Sequence, residues 1–151
     1  MLQIDSSYEQ LKRTDIKEAE RELSVEFPPE YIEFLMRRNG GRPFPDGVRV
    51  NGEHFDFVGF LYAIREDSNH DDLEKNVKAY RGLILDYYLP FGESPGGDVY
   101  CLALRSEEFG AVYHWNHYEY DDEVEPSEFN MTKLAGSFNE FIEGLYDCGT
   151  T

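Results

Sequence analysis

Basic residues are scarce in this chain: 14 Lys and Arg stand against 31 Asp and Glu, for a formal charge of −17. A field of that sign repels phosphate backbones and anionic headgroups, which excludes nucleic acid and anionic membrane as direct partners. Cysteine is scarcer still. Cys101 and Cys148 make no disulfide framework and no metal-binding spacing, and read as free thiols in a reducing cytosol. Long apolar runs are missing as well, since none approaches the ~20 residues that span a bilayer. Met1-Leu2-Gln3-Ile4-Asp5 lacks the basic start and apolar centre of a secretory leader, so the expected location is cytoplasmic. Linkers, internal repeats and low-complexity tracts are absent too. The expectation is one domain over residues 1–151, long enough to bury a real core.

Aromatics, by contrast, are plentiful. Eleven Phe and 11 Tyr within a 40% hydrophobic composition argue against disorder. The acidity is graded along the chain: residues 1–42 carry −2, residues 43–105 carry −5, and residues 106–151 carry −10, with Lys133 the only Lys or Arg among them. Such a field speeds encounter with a basic protein surface.

Helical spacing of Ile16, Ala19 and Leu23 predicts a first helix over Thr14–Leu23, with Thr14 or Asp15 as N-cap. Phe27-Pro28-Pro29-Glu30 breaks it and starts a second helix, carrying Tyr31, Phe34 and Leu35, which Asn39-Gly40-Gly41 closes through a left-handed cap. Asn51-Gly52 between Val48-Arg49-Val50 and Glu53-His54-Phe55 predicts a type I′ hairpin. Val58–Ile64 continues as strand or extended chain, and a short helix with Leu73, Val77 and Tyr80 inward ends at Gly82. Three apolar runs, Leu83–Leu85, Val99–Leu104 and Ala111–Trp115, read as neighbouring strands between Gly- and Pro-bearing turns. A terminal helix is predicted over Leu134–Leu145, capped by Ser137, with Phe138, Phe141, Ile142 and Leu145 as its apolar face. Helices at the ends and strands in the middle make the class α+β: a twisted, mainly antiparallel sheet of about five or six strands packed by N-terminal helices and a C-terminal helix.

Three blocks carry a resemblance to a known family. The first is Ile16, Ala19-Glu20, Phe27-Pro28, Tyr31, Phe34-Leu35 and Asn39-Gly40-Gly41; the second runs through Phe91-Gly92-Glu93, Gly97–Leu104 and Gly110–Trp115; the third is Ala135, Ser137-Phe138 and Phe141. In order and spacing they resemble the SUKH superfamily, which includes bacterial immunity proteins and Smi/Knr-type yeast cell-wall regulators. Phe27 stands where that family usually has Leu. The resemblance implies a SUKH-like fold and a protein that binds rather than catalyses. Its leading implication is an immunity protein that neutralises a cognate bacterial polymorphic toxin, of nuclease type and hence basic. The alternative it leaves open is a non-enzymatic regulatory or scaffolding module; a small free-standing chain without disordered flanks favours immunity.

Catalytic readings find little support in the residues. His114 and His117, near Asp121 and Asp122, have no third ligand at a recognisable spacing, and residues three apart on a strand point to opposite sides, so no metal is expected. Asp86, Glu93 and Asp98 flank Gly-rich turns, where turn formation explains them. Gly92-Glu93-Ser94-Pro95-Gly96 is not a nucleophile elbow, and neither Gly-Gly pair is followed by the Lys-Ser/Thr of a phosphate loop. No cofactor is expected. An interaction surface is: rings beside carboxylates suit an interface that anchors on aromatics and pairs with Lys or Arg. Its candidate residues are Trp115, Tyr118, Glu119, Tyr120, Asp121, Asp122, Glu123 and Glu125, with a second acidic cluster at Glu66, Asp67, Asp71 and Asp72. Alternation places Tyr113 and Trp115 on one side of their strand and their neighbours on the other.

Overall fold

Strand β1 (Gln3–Asp5) opens the chain and pairs antiparallel with β2 (Arg42–Phe44), which follows the first two helices. The computed structural model describes residues 2–5, 8–64, 70–117 and 126–149. Helix α1 (Arg13–Leu23) buries the expected Ile16, Ala19 and Leu23. Its start differs from expectation by a few residues: Lys12 is the N-cap, and Asp15 acts from inside the first turn, accepting the Lys12 N–H at 2.9 Å. The acid is thus close to the positive end of the helix without being its cap.

Helix α2 (Pro29–Arg37) begins on Pro29, where proline loses no helical hydrogen bond, and buries Tyr31, Phe34 and Leu35. The expected left-handed cap over Asn39-Gly40-Gly41 is not what ends it: the C-cap is Arg38, in extended conformation, and the left-handed residues follow only at Gly40 and Gly41. Asn39 is 2% exposed, and its amide donates to Glu9 O at 2.9 Å and Ile64 O at 3.1 Å while accepting from Ile64 N at 2.9 Å. The positive φ falls on the next residue, Gly40 (φ 71°), where a Cβ would lie 2.9 Å from the carbonyl oxygens of Leu61 and Tyr62. Only glycine fits there.

The hairpin forms as the Asn-Gly pair predicts. Strands β3 (Gly47–Val50) and β4 (Glu53–Phe57) meet at Asn51 (φ 54°) and Gly52 (φ 80°), with a register shift between Val48 and Arg49. Strand β5 (Phe60–Leu61) follows, then α3 (Leu73–Ala79), whose N-cap Asp72 accepts Lys75 N–H at 2.8 Å.

Five antiparallel strands make the main sheet in the order β5-β6-β7-β8-β9, with β6 at Tyr88–Glu93, β7 at Val99–Ala103, β8 at Val112–Trp115 and β9 at Met131–Ala135. Two of its strands depart from the expected boundaries. Leu83–Leu85 lie outside the sheet, Ile84 making only an isolated bridge to Arg81, and the strand lies later, through Pro90 and Gly92. A register shift between Pro90 and Gly92 lets proline sit within the ladder, and Gly92 admits the Phe60 carbonyl within 2.9 Å of where a Cβ would be. At the other end, Leu134 and Ala135 belong to β9, so α4 is only Phe138–Glu143, capped by Ser137 through Glu140 N–H at 3.1 Å.

Both faces of the sheet are covered. On one, Leu89, Phe91, Tyr100, Leu102 and Val112 join the apolar stripes of all four helices. On the other, Tyr88, Val99, Cys101, Ala103 and Trp115 pack with Tyr80, Leu83, Ile84 and Leu85. This explains why β7 is apolar at every position: its five residues are buried alternately on opposite faces.

Candidate interaction surface

The surface is built at one end of the sheet, where β8 stops and the acidic stretch begins. Tyr113 and Trp115 share one face of β8 and His114 the other, as alternation requires. Beyond Trp115, Asn116 N–H donates to Asn130 O at 3.0 Å, and the Asn130 side-chain amide returns a bond to Asn116 O at 3.1 Å. These two bonds close the base of the segment that separates β8 from β9.

Four ionisable groups gather beside that base. His114, 3% exposed, places Nε2 2.9 Å from Asp56 Oδ2 and 3.3 Å from Asp98 Oδ2. His117 is bound twice by the other oxygen of Asp98, through its backbone N–H at 3.0 Å and through Nδ1 at 2.5 Å. Burial pushes the Asp56 carboxyl up, but bonds from His114, the Phe57 N–H and Ser94 together hold it below the ordinary carboxylate value. The opposite-sides expectation for the two histidines does not hold, because the chain leaves the strand after Trp115 and both rings reach Asp98. Phe55, 38% exposed, covers the edge of His114 with ring centroids 4.7 Å apart.

On the far side of the segment, Glu128 accepts the hydroxyls of both Tyr87 and Tyr88 and lies 3.5 Å from Arg105. Arg105 stacks over Tyr87 at 4.6 Å and pairs with Glu108 at 2.5 Å, while Tyr113 donates to Glu108 at 2.7 Å and Lys133 approaches it to 3.1 Å. Partial burial and the Glu108 carboxylate push the Tyr113 phenol up to about 12. Next to this clasp Phe129 is 81% exposed.

Most of the interaction residues expected from sequence, namely Tyr118, Glu119, Tyr120, Asp121, Asp122, Glu123 and Glu125, with Glu66 and Asp67, lie outside the described residues. The other three have structural partners. Trp115, expected at the surface, is 3% exposed and meets Tyr80 edge-on at 5.7 Å. Asp71 accepts the Tyr8 hydroxyl, and Asp72 caps α3. Sequence reasoning missed Phe55, Asp56 and Phe129. For Phe129 the signal was present, as a lone large apolar residue in a polar stretch. For Phe55 and Asp56 there was none, because only the fold carries the hairpin to His114. Of the three carboxylates weighed for acid–base work, Asp86 stands in the turn before β6, Glu93 accepts Tyr62 Oη–H at 2.8 Å and Asp98 holds the histidines, with no shared side-chain partner among the described residues.

Comparison with known proteins agrees with this architecture. A protein from Pseudomonas syringae pv. tomato, known from its crystal structure, superposes with a TM-score of 0.51 at 18% identity, over 76% of this chain and 74% of that one. At that identity the likeness concerns the fold alone. No curated protein matches the chain in sequence. No helix among the described residues is long and apolar enough to cross a membrane. The sequence profile of the SMI1 / KNR4 family (SUKH-1) matches residues 10–144, and the chain therefore belongs to that family.

Proposed function

We propose that this protein is an immunity protein: it binds a cognate bacterial toxin with a basic surface, of nuclease type, and blocks it without performing a reaction of its own. Family membership supports the class of role. One observation carries the choice of surface. The segment 118–125, with five carboxylates and no base, follows closely on β8 in the chain and is followed by Phe129, which is 81% exposed. In this reading residues 1–151 act as one domain in the cytoplasm, where an incoming toxin must be met. Charge raises the encounter rate, and the rings, once desolvated, slow release.

The two contributions separate in kinetics. Association with the purified toxin domain should slow steeply as salt rises, while dissociation changes little. Neutralising Asp121, Asp122, Glu123 and Glu125 together to Asn and Gln should lower the association rate by about 10-fold or more at low salt. Phe129→Ala should act mainly on dissociation. Salt-insensitive association would remove the steering, and turnover of a small substrate by the isolated protein would remove the binding role itself.

A further inference from the structure

Asp56, Asp98 and His114 come from β4, the turn before β7, and β8, yet their ligating atoms lie within 4.8 Å of one another. The separations from His114 Nε2, 2.9 Å to Asp56 Oδ2 and 3.3 Å to Asp98 Oδ2, are those of a hydrogen-bonded cluster that need open by only a few tenths of an ångström to surround a small cation. Around tetrahedral zinc, with bonds of about 2.0–2.2 Å, neighbouring donor atoms stand about 3.3 Å apart.

Two further features point to a cation. Electrostatically, the Asp56 and Asp98 side chains are only 21% and 15% exposed, and among the described residues neither has a Lys or Arg partner. Hydrogen bonds from the Phe57 N–H, Ser94 and His117 support these two mostly buried carboxylates, and a bound cation would add opposite charge beside them. Geometrically, the His114 ring is held between Phe55 at 4.7 Å and Tyr100 at 5.4 Å, which aims Nε2 at the acids. His117 occupies Oδ1 of Asp98 and leaves Oδ2 turned toward His114, the arrangement by which an outer hydrogen bond orients a ligating carboxylate.

We propose that Asp56, Asp98 and His114 form a divalent-cation site suited to Zn²⁺, with water completing the coordination. One imidazole with two carboxylates suits zinc; calcium takes 6–8 oxygens, more than Asp56 and Asp98 supply. Ligation through Nε2 requires the proton of a neutral ring to be on Nδ1, an atom that is buried and has no hydrogen-bond partner among the described residues. An unanchored histidine ligand of this kind lowers affinity by about 10–100-fold, which makes the site exchangeable rather than a permanent structural one. A bound ion would also offset negative charge at the base of segment 118–125.

The test titrates the full chain with Zn²⁺ against a chromophoric chelator, and with Co²⁺ as a spectroscopic substitute. The expected result is one equivalent bound, a raised Tm, and the intense visible absorption of four-coordinate Co²⁺. Asp98→Asn and His114→Gln should each weaken binding about 100-fold, with the exposed Glu143→Gln unchanged as control for surface carboxylates. Should either site variant fail to fold by circular dichroism, the Co²⁺ spectrum and the His114 ring resonances of the unmodified protein decide. An absent four-coordinate band, unshifted His114 resonances, or full binding in a folded Asp98→Asn protein each overturns the site.

Discussion

Asn39 shows how one polar side chain can hold three backbone segments together. It links the residue after α2 to the chain near Glu9 and to the run after β5, using both ends of its amide while 2% exposed. Asn39→Ala strands two carbonyl groups and one N–H away from water, and unpaired buried groups cost about 1–3 kcal/mol each before relaxation. The expected loss is about 3 kcal/mol in urea unfolding; a loss below about 1 kcal/mol would mean that water replaces the amide. Glu93 gives a different residue-scale test. Burial lifts its carboxyl above the ordinary 4.5, with the Tyr62 hydroxyl and His70 pulling the other way. Unfolded, the group titrates near 4.5; folded, it holds its proton to higher pH. As pH rises between those two values the unfolded chain releases the proton first, so this group's contribution to stability falls. Glu93→Gln keeps an acceptor for Tyr62 without the charge. It should therefore be at least as stable as the parent at neutral pH, with the difference shrinking toward zero near about pH 4. A variant less stable at neutral pH than at acid pH, relative to the parent, would contradict this account.

Among the elements, legibility followed how local the cause was. The Asn51-Gly52 hairpin, the Pro29 start of α2 and the Ser137 cap are each set by one or two residues, and each lies where the sequence placed it. Strand β6 was misplaced because its Pro90 and Gly92 read as turn residues, and only the bulge opposite β7 makes them compatible with a ladder. Strand β9 was hidden because Leu134 and Ala135 also extend the apolar spacing of α4; pairing with β8 outweighs that spacing. The charge and rings of 106–151 were legible in the sequence, but the cluster around His114 was not, since Asp56 reaches His114 across 58 residues of sequence. The misplaced β6 also carries the centre of the core. Phe91 is 1% exposed and its ring stands 6.0 Å from Tyr31, 5.5 Å from Phe138 and 5.9 Å from Phe141, joining α2 and α4 to the sheet. Phe91→Ala should cost about 3–5 kcal/mol, against less than about 0.5 kcal/mol for the exposed Phe129→Ala. Equal losses at the two positions, measured by chemical denaturation, would mean that Phe91 is not central.

At the scale of the molecule, the sheet separates two apolar clusters that share its strands. Helices α1, α2, α3 and α4 pack on one face, and the only Trp, Trp115, reports from the other. Each position of β7 is buried on one face or the other, so neither cluster persists without the strands that the other also needs. Unfolding is therefore expected to be one transition: Trp fluorescence, which follows the second face, and far-ultraviolet circular dichroism, dominated by helices on the first, should give coincident denaturant curves. The same construction bears on binding. Because Trp115 belongs to the second face, its emission should change little when segment 118–125 is neutralised and strongly when the sheet opens. Separate midpoints for the two probes would show that the Tyr80–Leu85 segment can detach on its own. The chain would then be two cooperative units, and the end of the sheet beside His117 would not be a rigid platform for a partner.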